Sequence, residues 1–173
     1  MMTEFVGTIL RSQYEAALAM LKSCIATCGD EHYEGQVARD TFRTIAYHTL
    51  FWTDYYLSPG EQAFELRELH QQGGDDRVLA SSPGLAREEA LSYADMCRGK
   101  VVETLAGESL ERLAAPCGFS RFSFSRAELH LYNLRHIQHH TGALSAYLRR
   151  VDPRLQDRAV LRWVRMGWPS DEA

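Results

Sequence analysis

Only four of the 173 residues are cysteine and five are proline, and the cysteines (Cys24, Cys28, Cys97 and Cys117) include no CxxC pair. That excludes a disulfide-stapled secreted scaffold and leaves free, mostly buried thiols as the expectation. Cys24, Cys28 and His32 are spaced so that they could in principle hold a metal, but Gly29 directly after Cys28 reads as a helix stop that breaks their common face. An excess of charge of one sign is also missing. Nineteen Lys and Arg stand against 23 Asp and Glu, a net charge of −4, which gives no electrostatic case for nucleic acid or an anionic membrane. No apolar run reaches the roughly 18–20 residues that span a bilayer. The N-terminus, Met-Met-Thr-Glu-Phe-Val, lacks the basic and then apolar stretches of a secretory leader, so a cytoplasmic location is expected.

What is present is helical periodicity, with no convincing strand alternation. At 45% apolar and 24% charged residues, the chain has the balance of an ordinary globular protein and the length of one domain. Four long helices are expected, over about residues 4–28, 37–57, 87–105 and 126–150. In the first, Phe5, Ile9, Ala16, Met20 and Ile25 recur at helical spacings, and Gly29-Asp30 closes it. The second is stopped by Ser58-Pro59-Gly60 and the third by Gly107, and Ser125 with Glu128 forms a capping box for the fourth. The long connection 58–85 contains Gly73-Gly74-Asp75-Asp76, and a short helix is expected over 61–70. So long a connection is usually functional or wraps a surface. The tail, 151–173, carries a weaker helical pattern over 155–168 with Trp163 and Trp168. The expected fold is all-α, a four-helix bundle with a short extra C-terminal helix.

The chemistry concentrates in the run Asn133-Leu-Arg-His136-Ile-Gln-His139-His140. His136 and His140 lie one helical turn apart on one face, and imidazole nitrogens can grip a zinc-like metal at roughly 2.0–2.1 Å. His48 lies mid-way along the second helix on a face shared with Ile45, Trp52 and Tyr55. On spacing alone two readings stay open: buried, hydrogen-bonded core histidines, or a metal site built by two helices. The chain has neither HExxH nor ExxH, so the zinc-protease base and the di-iron bundle pattern are both missing. That narrows a metal site to one ion with three neutral ligands. His139 falls towards the rim of the face. Tyr47, Tyr132, Asn133 and His139 are candidates for supporting or acid–base roles, beside the ordinary reading of the tyrosines as packing residues and of Asn133 as a solvent-facing helix residue.

The segment Arg-His136-Ile-Gln-His139-His140-Thr-Gly, together with Ala46-Tyr47-His48-Thr-Leu-Phe-Trp52 and the order of elements over roughly residues 3–150, resembles the DinB-like superfamily of metal-binding four-helix bundles. The resemblance implies that His48, His136 and His140 coordinate one divalent metal ion and that His139 does not. The family motif often continues with a glutamine where this chain has Ala143, so the amide of that position is missing here. Family members with assigned activities are mostly thiol-dependent S-transferases or isomerases. The resemblance therefore implies a metal-dependent thiol transferase acting on a small molecule, with a low-molecular-weight thiol as partner. Zinc, nickel or iron would suit such a site, since imidazoles alone do not choose among them. The alternatives are a hydrolase and a non-catalytic, stress-associated metal-bound bundle. Phe119, Phe122, Phe124 and the tail tryptophans suggest an aromatic patch, and a homodimer is expected.

Overall fold

A computed structural model describes residues 2–78, 82–155 and 163–169. The described residues are all-α. Their only β pairing is two isolated bridges, Gln36 with Thr41 and Pro116 with Ser125. Seven α-helices follow one another: α1 Met2–Thr27, α2 Asp30–Tyr33, α3 Phe42–Leu57, α4 Leu69–Gly73, α5 Arg87–Ala106, α6 Leu110–Ala114 and α7 Arg126–Val151. The four long ones share a core. Helix α1 packs on α5 and α7, and α3 packs on the same two. Tyr14, Leu18, Leu21 and Ile25 of α1 meet Phe42, Leu50 and Phe51 of α3, Tyr93 and Val101 of α5, and Ile137 and Leu144 of α7. No helix among the described residues is long and apolar enough to cross a membrane.

The expected second helix, 37–57, begins five residues late, and the cause is local. Thr41 is extended and its side chain accepts the Thr44 N–H, making it the N-cap, while residues 36–41 close a small bridged turn ahead of it. Such a cap satisfies one of the four unpaired N–H groups of a helix start. Ser125 caps α7 in the same way, accepting the Glu128 N–H.

The helix expected over 61–70 is broken into a 3₁₀ turn, Glu61–Ala63, and α4. Between them the chain is extended, which drives Phe64 into the core against Phe51 and Tyr55. His70 is buried, with its Nδ1 accepting the Arg67 N–H. The expected tail helix, 155–168, falls largely on residues 156–162, outside the described residues. Of the described tail, Pro153–Leu155 is a 3₁₀ turn and 163–169 is not helical. Gly167 donates its N–H to the Ser12 carbonyl, and Trp168 lies under Lys22 and Arg98, so the tail crosses α1 and α5. Phe119 is buried, and Phe122 and Phe124 are half-buried and stacked on one another beside Tyr132. They cover the core rather than form an exposed patch.

Two buried ionic groups fix α3 relative to its neighbours. The Arg126 guanidinium donates to the carbonyls of Tyr56, Leu57 and Ser58 at the C-terminus of α3 and to Glu108. It thereby satisfies orphan carbonyls of that helix end. Asp54, almost fully buried, accepts from Lys100 and Tyr93 of α5 and pairs with Arg67 of the long connection. Half-way along, Asn133 donates its Nδ2 to the Thr53 carbonyl at 3.2 Å. These contacts set the register of α7 on α3, and with it the meeting of their histidines.

Candidate metal centre

Helix α3 presents His48, Trp52 and Tyr56 in one row, one turn apart, and α7 presents Tyr132, His136 and His140. It is Tyr56, not Tyr55, that continues the row. Tyr56 lies edge-on to His136, whereas Tyr55 turns into the core against Phe64 and Phe119. Across the two helices, His48 is 5.2 Å from His136 and 4.9 Å from His140 by ring centroids, and His136 and His140 are 4.6 Å apart. One nitrogen of each can be chosen so that all three lie within 4.8 Å of one another, a group able to hold a metal ion. Among the described residues it is the one such group, and Cys24, Cys28 and His32 do not form another. All four cysteines are free and buried.

The hydrogen bonds decide which nitrogens face inward. His48 Nδ1 lies 2.6 Å from Asp76 Oδ2, so it carries the proton and donates to the carboxylate, leaving the Nε2 lone pair pointing away. That Nε2 lies 3.3 Å from Nε2 of His136. At best that separation is a long, weak N–H···N hydrogen bond. It matches the distance of about 3.3 Å between two nitrogens on a tetrahedral ion with bonds of roughly 2.0–2.1 Å. Nδ1 of His136 is buried with no hydrogen-bond partner. A protein-only arrangement would therefore leave Nε2 of the half-buried His136 with one long contact to another imidazole, while Nδ1 stays unmet whether or not an ion sits on Nε2. Donor type, the spacing of the His48–His136 pair and a carboxylate behind one ligand fit a metal ion.

Electrostatics prepares the same state. Burial, reinforced by the neighbouring histidines His140, His48 and His139, pushes His136 down to about 2. Burial, with His48 and His139, pushes His140 down to about 4. Both are neutral near pH 7, which is the form that binds metal. Burial opposes ionisation of Asp76, but hydrogen bonds from His48, Ser82 and Trp52 outweigh it and hold the carboxyl below its ordinary value.

Asp76 has no counterpart among the residues singled out in the sequence. It sits in the long connection and reaches the histidines because of the two glycines before it. A Cβ on Gly73 would lie 2.3 Å from the Tyr47 ring, so the loop approaches α3 only with glycine there. Gly74 has φ +87°, a conformation glycine adopts without strain. The Tyr47 hydroxyl donates to the Gly74 carbonyl. Tyr47 is thus buried beneath the loop that carries Asp76, away from the cavities described next.

Two cavities open on the histidines. One, of about 450 Å³, is lined by His48, His136 and His140 with Trp52, Tyr56, Tyr132 and Arg121. The other, of about 380 Å³, is more apolar and is lined by His48, His139 and His140 with Val37, Ile45 and Ala143. Of the four supporting candidates, Tyr132 walls the first and His139 the second. Asn133 is fully buried rather than solvent-facing and holds helices together. His139 is exposed, its ring 4.9 Å from that of His140. Arg121, like Asp76, lies in a connecting segment without helical periodicity to place it. Comparison with protein-family models, with curated proteins and with solved structures finds no match to this chain.

Proposed function

We propose that the chain is a DinB-like protein whose four long helices form the family's bundle and whose His48, His136 and His140 hold one divalent ion, zinc, nickel or iron, for thiol S-transfer to a small molecule. The observation that carries this reading is the His48–His136 pair, with Nε2 atoms 3.3 Å apart and His48 anchored from behind by Asp76. A carboxylate behind a ligating histidine is a recurrent means of fixing the ring and raising its basicity. Three neutral ligands leave an open position, and an ion there would make a bound thiol or water more acidic near neutral pH. In S-transfer a thiol loses its proton, its sulfur bonds an electrophilic carbon, and the leaving group departs with the bonding pair; no oxidant or reductant is consumed. The chain's own part is to orient His48 through Asp76, to wall the reacting space with Trp52, Tyr56 and Tyr132, and to offer His139 at the neighbouring cavity as a proton acceptor.

The test begins with elemental analysis of the purified protein, for which about one divalent ion per chain is expected. His48→Ala, His136→Ala and His140→Ala should each lose it, while His139→Ala should keep it. Equal loss from all four would refute the assignment of the ligands. Calorimetric titration with low-molecular-weight thiols then separates transfer from the non-catalytic and hydrolytic alternatives. Thiol binding that disappears with the metal supports transfer, and no binding across the panel supports the alternatives.

A further inference from the structure

Resting on the metal-site reading above, we infer that the larger cavity takes a small anionic ligand, a thiol bearing a carboxylate, whose charged end is held by Arg121 and whose sulfur faces the histidines. Arg121 lines the same cavity as His48, His136 and His140. Its guanidinium lies over three rings, 4.8 Å from the centroid of Trp52, 4.7 Å from Phe122 and 5.7 Å from Tyr56, and its Nη2 donates to the Tyr56 hydroxyl at 2.7 Å. Trp52 and Tyr56 in turn border His48 and His136. Trp52 and Tyr56 thus touch the guanidinium on one side and border the histidines on the other, along one wall of the cavity that all of them line.

Arg121 is an exposed arginine, and its place sets it apart: it is the cationic side chain that lines the histidine cavity. Other cationic side chains that stabilise this fold (Lys22, Arg67, Lys100, Arg126) are paired with carboxylates. Among the described residues, Arg121 has no carboxylate within ion-pair distance and is positioned by rings and one phenol. Most of its five N–H donors stay open to the cavity and solvent, in the fork geometry that matches a carboxylate. The charge of the cavity agrees. Asp76 is committed to His48, Trp52 and Ser82, and Asp40 borders both cavities. A divalent ion on three neutral ligands, together with Arg121, outweighs those two carboxylates and favours an anion.

The test uses the full chain loaded with cobalt(II), whose thiolate charge-transfer absorption reports sulfur arriving at the ion. Wild type and Arg121→Gln are each titrated with 3-mercaptopropionate and with 2-mercaptoethanol, a neutral thiol of similar size. Cobalt content is measured first. Wild type should bind 3-mercaptopropionate about tenfold more tightly than the neutral thiol, the size of one charge-assisted contact. Arg121→Gln should erase that preference while keeping its cobalt and its affinity for 2-mercaptoethanol, and Arg121→Lys should restore part of it. Equal affinities in wild type overturn the inference. So does a preference that persists in Arg121→Gln, which would mean that the carboxylate chelates the ion. Failure to retain cobalt in wild type overturns the metal-site reading itself and this inference with it.

Discussion

Asp76 shows how one side chain can decide which nitrogen a histidine presents. Without it, His48 would be free to present either nitrogen. With its Nδ1 proton committed to the carboxylate, only Nε2 remains for the centre. The same carboxylate accepts the Trp52 indole N–H and the Ser82 hydroxyl, so its position is itself held by three donors. Replacing Asp76 by Asn keeps the shape but removes the charge and one acceptor oxygen. On the metal-site reading, the Asp76→Asn protein is expected to fold with a nearly unchanged melting temperature and to bind a divalent ion roughly 10–100-fold more weakly, the usual effect of losing such a partner. Competition with a coloured chelator reads that loss directly. An unchanged affinity would mean that the carboxylate serves the loop rather than the ligand.

At the scale of elements, the long helices could be read from the chain because their ends carry side-chain signals. Ser125 caps α7 where its spacing to Glu128 predicts, and α5 begins at Arg87 with Glu89 turned back to the Ala86 N–H. His136 and His140 followed from helical spacing, and His48 from its place on an apolar stretch. Asp76 and Arg121 were not legible, since they act from connections whose paths depend on tertiary contacts rather than on a repeating pattern. Gly73-Gly74 was visible only as part of a long connection, and its purpose appears once the Tyr47 ring is seen against Gly73. Gly73→Ala tests the point. The added methyl must displace either Tyr47, which is packed in the core, or the loop. Destabilisation of about 1–3 kcal/mol is expected for such overpacking, measured by urea unfolding. Metal affinity should fall in parallel as Asp76 moves from His48. Loss of stability with full metal affinity would show that the core, not the loop, yields.

For the whole molecule, the residues that hold the helices together are not those that would hold the ion. Asp54 with Lys100, Arg67 and Tyr93 ties α3 to α5 and to the long connection. Glu108 with Arg126 and His130 ties α7 to the segment after α5. Neither group includes a member of the triad, so the protein stripped of metal should keep its helical circular dichroism, unlike a small domain whose fold depends on its ion. Its stability should nevertheless depend on pH in a defined direction. In the folded apo protein His70 is pushed down to about 4 by burial and by Arg67, and His136 and His140 to about 2 and about 4, all from an ordinary value of 6.5. These groups stay neutral while the histidines of the unfolded chain take up protons. Their contribution is therefore fully present above about pH 6.5 and is lost as the pH falls towards 4. Glu108 adds a second, more acidic window. Burial opposes its charge, but hydrogen bonds from His130 and Arg126 hold it at about 2 against an ordinary 4.5, so its contribution disappears only below pH 4.5. The melting temperature of the apo protein should thus be level from pH 7 upward in the neutral range, fall from pH 6.5, and fall further below 4.5. His136→Ala, which removes one depressed histidine, should shallow the first decline and leave the second. An apo melting curve insensitive to pH between 7 and 4.5 would mean that these histidines accept protons in the folded state, which is incompatible with their burial among one another.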